Sequence, residues 1–381
     1  MVRRPAGGAR RLSLELPVEA GDTWRDANVM EDIGDALGFL TGDVWSLDVR
    51  PIARPRRVRS IHIAGLAERL HSVSLFSGGL DSLAGAVQQL ASHGSDRIAL
   101  VNVGSGPRMG AARRELLRRW HGEFGDRVRA VSVRFHVEGG ARYRMERSQR
   151  SRGFLFAAVG AVVASCAGLA QFQAYENGIG AINLAYESSC GASIMSRSTR
   201  PFWLKRCREV LSRILREDVR GINPFLGLTK GEVCRSLCTR GALARVAVSC
   251  DRAEGRTAHA RCGTCTSCVL STIGLAAAGL QAPPFAVSPE QWPSLKPCRL
   301  AGARAMHFQV EQLRQAPNGS EPWAVLRRRF PELSMAAAAA SMQPSAGLAL
   351  YRRYVREWDD ADPSRILRDC AALEGGSCGG A

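Results

Sequence analysis

Short apolar runs alternate with helix-length segments from residue 71 onward, and this alternation constrains the fold more than any other feature of the chain. HSVSLF (71–76), IALVNV (98–103) and VRAVSVRFHV (128–137) have the length and branched-residue content of strands. LAGAVQQLASH (83–93), AARRELLRRWHGEF (111–124) and RGFLFAAVGAVVASCAGLA (152–170) have helical spacing and lie between or after them. Strands joined by helical crossovers predict an α/β fold, a doubly wound parallel sheet with helices on both faces. A further strand is expected around Gly180–Leu184, followed by a helix over 201–215. A short helix is expected over 230–239, capped by Thr229 and ended before Gly241. Ahead of this core, RLSLEL and VWSLDVR alternate apolar and polar residues, so residues 1–70 read as a β-rich extension. The core domain spans 71–245, a cysteine-rich segment 246–282, and a helical extension 283–381, with patches near 301–315, 321–330 and 347–358.

Composition narrows the partners less than the charge suggests. The net charge is +17, yet the only lysines are Lys205, Lys230 and Lys296. Arginine therefore supplies almost all of it, as a GC-rich coding bias does without functional cause. A polyanion partner such as nucleic acid stays open. Arginine is densest over 108–152, but that stretch lacks the aromatic interleaving of a single-strand stacking surface. No apolar run reaches the ~18 residues of a membrane span. The N-terminus has no apolar core before a cleavage site, so the expectation is a cytoplasmic protein that does not enter the membrane.

Ser77-Gly78-Gly79-Leu80-Asp81-Ser82 follows a predicted strand and opens a predicted helix. Glycines let a backbone approach a ligand closely, and amides at a helix start point at an anion. Ser77 and Ser82 add hydroxyl donors. Asp81 beside phosphates makes sense with Mg2+ between them. There is no G-x-x-x-x-G-K-[ST], so this is not a Walker-type loop. The same six residues also serve as a plain strand-to-helix connector, and so does the glycine-bearing loop at 104–110.

Twelve cysteines without an export signal argue for metal binding or buried thiols over disulfides. Cys250, Cys262, Cys265 and Cys268 form C-x11-C-x2-C-x2-C, a spacing suited to a closed, structural Zn2+ site. An iron–sulfur cluster and free thiols are the competing readings.

The turn resembles the SGGxDS signature of the PP-loop ATP pyrophosphatases, and with S-C-D…C-G-x-C-x-x-C it resembles the 7-cyano-7-deazaguanine synthase family of queuosine biosynthesis. The matching pieces are LFSGGLDS (75–82), SRGFLFAAVGAVVA (151–164), NPFLGLTKGEV (223–233) and the cysteine segment 249–280. The resemblance implies a PP-loop, Rossmann-like fold, with ATP and Mg2+ at Ser77, Gly78, Gly79, Leu80, Asp81 and Ser82 and Zn2+ on the four cysteines. It implies an ATP-dependent ligase or synthase that adenylates a carboxylate such as 7-carboxy-7-deazaguanine and condenses it with an amine, from ammonia or a protein. Lys230, in a T-K-x-E setting, is the candidate cation for phosphate, and Arg150 and Arg152, ahead of the helix over 152–170, are candidates for phosphate or the substrate carboxylate; an exposed lysine and surface arginines are the plainer readings. Glu176, Asn177 and Glu187 are candidates for contact with the base edge. Residues 1–70 and 283–381 exceed the family's usual chain, and longer relatives of this layout are linked to anti-phage defence. Two alternatives stay open: a tRNA-modifying PP-loop enzyme, with Cys190 as the thiol near the substrate segment, and a non-enzymatic scaffold subunit of a defence complex.

Overall fold

Along residues 97–103, side chains alternate between two apolar layers. Ala99, Val101 and Val103 enter one core, Ile98 and Leu100 the other. A strand buried on both faces requires cover on both faces, which a parallel sheet with crossover helices supplies. The computed structural model describes residues 8–19, 23–24, 26–52, 70–92, 96–104, 107–135, 150–185, 197–251, 261–295, 297–315 and 321–362.

The chain begins with β1 (Arg11–Val18), α1 (Ala27–Thr41) and β2 (Val44–Pro51). The central sheet and its helices follow as β3 (Leu70–Leu75), α2 (Leu80–Ser92), β4 (Arg97–Val103), α3 (Pro107–Phe124), β5 (Val128–Val133), α4 (Arg152–Cys166), β6 (Gln171–Gln173), α5 (Gly178–Ile182), α6 (Pro201–Leu215) and β7 (Arg220–Ile222). Seven further helices close the fold: α7 (Lys230–Arg235), α8 (Gly241–Ala244), α9 (Thr266–Ala277), α10 (Ala301–Gln315), α11 (Pro322–Arg329), α12 (Glu332–Ala340) and α13 (Pro344–Ala361).

The five-stranded sheet has the order β5-β4-β3-β6-β7, and every pairing is parallel. From β3 the chain winds outward through β4 to β5, then returns to the other side of β3 for β6 and β7. One face is covered by α4 and α6, which bury Ala157, Ala161, Trp203 and Leu204. The other is covered by α2, α3 and α7, which contribute Leu83, Leu116, Trp120 and Val233. A third core joins α5, α9 and the four C-terminal helices, where Ile182 and Ile273 meet Met306, Leu333 and Trp358.

Three expected elements differ. The N-terminal region is not built of strands alone, because the 15-residue α1 crosses between parallel β1 and β2. Its signals were local: the Asp26 side chain accepts from Asn28 N at 2.9 Å as N-cap, Gly42 takes a left-handed C-cap, and Val29, Ile33, Ala36 and Leu40 form one apolar face. That face joins the core beneath α6. The strand expected around Gly180–Leu184 is helical over Gly178–Ile182, and the sheet strand lies earlier, at β6. The Asn177 side chain accepts from Gly180 N at 3.1 Å and turns the chain there. The helix starting at Lys230 stops at Arg235, short of 239, and tightens into a 3-10 turn over Cys238–Arg240. Ser236 assists by donating its hydroxyl to Val233 O at 2.7 Å, in place of a continuing helical bond.

Candidate functional site

The order reversal between β3 and β6 opens a crevice at the carboxyl ends of the strands, the place where open α/β sheets bind ligands. Three segments leave the sheet there: Ser77–Ser82 after β3, Tyr175–Asn177 after β6, and Asn223–Lys230 after β7.

In the first, Gly78 has φ +84°, a left-handed conformation that glycine adopts without strain. Gly79 N donates to Ser77 Oγ at 3.2 Å, and the Ser77 and Ser82 hydroxyls lie 3.2 Å apart. Ser82 also donates to Gly79 O at 3.0 Å. The turn is backed by the segment before the first cysteine of the cluster. Val248 N donates to Gly78 O at 2.8 Å, and Leu80 N donates to Ser249 Oγ at 3.1 Å. The Gly79 and Leu80 amides are thus held by serine hydroxyls of the protein, and the Ser77 and Ser82 hydroxyls face each other across the turn.

Asp81 is buried at the start of α2 and meets residues from the other two segments. Its Oδ1 accepts from Asn177 N at 3.1 Å and Asn177 Nδ2 at 3.2 Å, while Oδ2 is ion-paired with Lys230 Nζ. Asn177 Nδ2 also donates to Glu176 Oε1 at 2.9 Å, and Asn223 clamps the Glu176 backbone through bonds of 2.7 and 3.2 Å. Asn177 is fully buried and its amide is spent within the protein, so in this arrangement it orients the two carboxylates. Burial and the nearby Asp81 charge push the Glu176 carboxyl up to about 8, where it holds a proton at neutral pH. Burial works against the charged form of Lys230, but Asp81 and Glu176 overcome it and hold the ammonium above its ordinary range. One carboxylate, one protonated carboxyl and one ammonium thus form a single electrostatic unit.

Lys230 sits in the first turn of α7, whose start carries a capping box. Thr229 and Glu232 form a reciprocal capping box, with Thr229 N donating to Glu232 Oε2 at 2.8 Å and Glu232 N donating to Thr229 Oγ1 at 3.2 Å.

Behind the turn, the sulfurs of Cys250, Cys262, Cys265 and Cys268 all lie within 4.8 Å of one another. Cys262–Cys268 and Cys265–Cys250 are each 3.9 Å apart. A tetrahedral ion at the usual Zn–S distance sets its sulfurs about 3.8 Å apart, so the four fit a single metal ion such as zinc. Backbone amides support the set: Cys265 N donates to Cys262 Sγ at 3.3 Å and Cys262 N to Cys250 Sγ at 3.4 Å. Hydrogen bonding to Cys250, and then to Cys265 and Cys268, pulls Cys262 well down, while the bonds to Cys250 and Cys262 push Cys265 and Cys268 up. Buried Arg261 brings a cation beside this cysteine set and donates to Arg245 O at 2.9 Å. The Cys268 thiol reaches Ser249 O at 3.7 Å, which ties the cluster to the residue that holds Leu80 N.

Other sequence candidates fall elsewhere. The Arg152 guanidinium lies 5.1 Å over the ring of Phe156, and Arg150 donates to Thr41 O at 3.2 Å, so each has a contact outside the crevice set. Glu187 and Cys190 lie outside the described residues, as does most of the arginine-dense stretch beyond 135. In the loop at 104–110, helix α3 already begins at Pro107, and 105–106 lie outside the described residues. Sequence reasoning missed Asn223, Ser249 and Glu357. Ser249 stood inside the S-C-D motif and was readable as its neighbour, whereas nothing local marked Glu357. Among the described residues no helix is long and apolar enough to cross a membrane. No protein-family model matches this chain, and no curated protein matches it.

Proposed function

We propose that this chain is a PP-loop ATP pyrophosphatase similar to 7-cyano-7-deazaguanine synthases: it adenylates the carboxylate of a deazaguanine-like substrate and passes the acyl group to an amine. One observation carries this reading, the convergence of the Ser77–Ser82 turn, the Glu176–Asn177 pair and Lys230 at the point where strand order reverses. In this reading the amides of the turn and the hydroxyls of Ser77 and Ser82 hold the outer two phosphates, which leaves the α-phosphorus open to attack. A substrate carboxylate oxygen bonds to that phosphorus, the bond to the bridging oxygen breaks, and pyrophosphate leaves with the electron pair. An amine nitrogen then bonds to the acyl carbon, the bond from that carbon to the AMP oxygen breaks, AMP leaves with the electron pair, and the nitrogen gives up its proton to solvent.

Asp81 and Glu176 are the carboxylates suited to Mg2+, a hard ion that takes one or two carboxylates beside phosphate oxygens. When bound, that ion neutralises charge on the phosphates. With that ion held, Glu176 would be ionised, and Lys230, kept beside Asp81, would add its positive charge next to the phosphates. The residues act by positioning and by charge. Incubation with ATP, Mg2+ and 7-carboxy-7-deazaguanine, followed by mass spectrometry, tests the proposal: AMP, pyrophosphate and an acyl product are expected. Orthophosphate release without AMP overturns it.

A further inference from the structure

Lys230 is held from outside the sheet, by the last helix of the described chain. The Glu357 side chain on α13 is buried, and its two oxygens grip the residues on either side of the lysine. Oε1 accepts the Thr229 hydroxyl, and Oε2 accepts Gly231 N at 3.1 Å. One turn earlier on α13, Arg353 Nε lies 2.9 Å from Glu232 Oε1 and its Nη2 donates to Gly227 O at 2.7 Å. Thr229, Gly231, Glu232 and Gly227 all belong to the segment that leaves β7 and carries Lys230. Gly231 has to be glycine for this contact, because a Cβ there would overlap Glu357 Oε1.

The chemistry of the contact goes beyond packing. A carboxylate is costly to bury unless it is hydrogen-bonded, and an apolar side chain would fill the same volume at lower cost. Lys230 also puts a positive charge at the positive end of α7, and a carboxylate at the helix start offsets that. Glu357 takes up Gly231 N, one of the free amides of the start, so the lysine's peptide neighbours cannot rotate without breaking a buried bond.

We infer that Glu357, assisted by Arg353, is a positioning residue that fixes the Lys230 ammonium against Asp81, which makes the C-terminal helical region part of the candidate site. As a statement about catalysis this rests on the proposed function, in which Lys230 meets phosphate; as a statement about Lys230 placement it does not.

The test uses the small number of lysines. In the full-length protein, each lysine is acetylated with limiting acetic anhydride and quantified by mass spectrometry, with exposed Lys205 as the internal standard. Loss of the two Glu357 bonds in Glu357→Ala is expected to raise the Lys230 to Lys205 ratio by about tenfold or more. The pH profile of Lys230 acetylation is expected to move to lower pH as the ammonium leaves Asp81 and Glu176. An unchanged ratio and profile in a folded Glu357→Ala protein overturns the inference, as does a rise in ratio with no movement of the profile, which marks general loosening. Should Glu357→Ala not fold, Arg353→Met is read in the same way and is expected to give a smaller change of the same sign. In the pyrophosphate assay, Glu357→Gln is expected to lower kcat more than tenfold with KM for ATP changed less than threefold. If the wild type releases no pyrophosphate, the proposed function fails while the acetylation result still decides the placement of Lys230.

Discussion

Replacing Glu176 by glutamine removes the proton that the crevice holds, and its effect on stability has a calculable pH dependence. The folded protein keeps the Glu176 carboxyl protonated up to about 8, while the unfolded chain releases that proton near the ordinary glutamate value of 4.5. Because the folded value is raised, folding retains a proton that the unfolded chain has lost. The stabilising linkage is present in full below the unfolded value and is lost as pH rises toward about 8. Between those limits one proton separates the two states, so Glu176 alone tilts the stability curve by about 1.4 kcal/mol per pH unit. Urea unfolding of the wild type and Glu176→Gln across pH 5.5 to 7.5 measures the difference directly. The variant is expected to gain about 1.4 kcal/mol on the wild type for each unit of rising pH. Glutamine keeps an oxygen for the 2.9 Å bond from Asn177 Nδ2, so the packing is little changed. Parallel pH curves for the two proteins would refute the reasoning, since they would mean Glu176 is ionised in the folded state throughout the range.

Two further outcomes follow from the same geometry. Asp81→Asn leaves the buried Lys230 ammonium without its partner and is expected to cost about 3–5 kcal/mol; adding Lys230→Met to it should recover part of that loss, and a double-mutant cycle by denaturant titration measures the coupling. Cys265→Ser removes one of four sulfurs that fit a single ion, so the wild type is expected to purify with one equivalent of zinc and the variant with far less, as read by elemental mass spectrometry. Because Cys268 and Leu80 N share Ser249, metal loss should also raise amide hydrogen exchange at residues 78–82, and unchanged exchange there would break the proposed link between the two.

The amino-acid sequence alone determined the features that depend on neighbours a few residues apart. Short apolar runs with branched residues, set between helix-length segments, placed β3, β4 and β5, because strands covered on both faces of a parallel sheet are apolar on both. The turn at Gly78 was legible because its conformation and its place before a helix are local matters. The four cysteines were legible because their ligand spacing spans only residues 250–268, and the structure brings their sulfurs together at the separation one ion requires. Misread elements carried local signals that competed with stronger ones nearby: the apolar residues of Gly180–Leu184 suggested a strand, while the Asn177 cap decided for a helix.

Only the tertiary structure decided which distant charges meet. Asp81 and Lys230 are 149 residues apart and pair because β7 lies two places from β3 in the sheet, an order that no short-range pattern encodes. Glu176 owes its proton to that same neighbourhood, for a carboxyl is raised by burial and by the charge beside it, not by its sequence context. Glu357 is the extreme case. On α13 it is one acidic residue in an amphipathic helix, and it becomes a partner of the lysine-bearing turn, 126 residues away from Gly231, only because the C-terminal helices pack against α5 and α9.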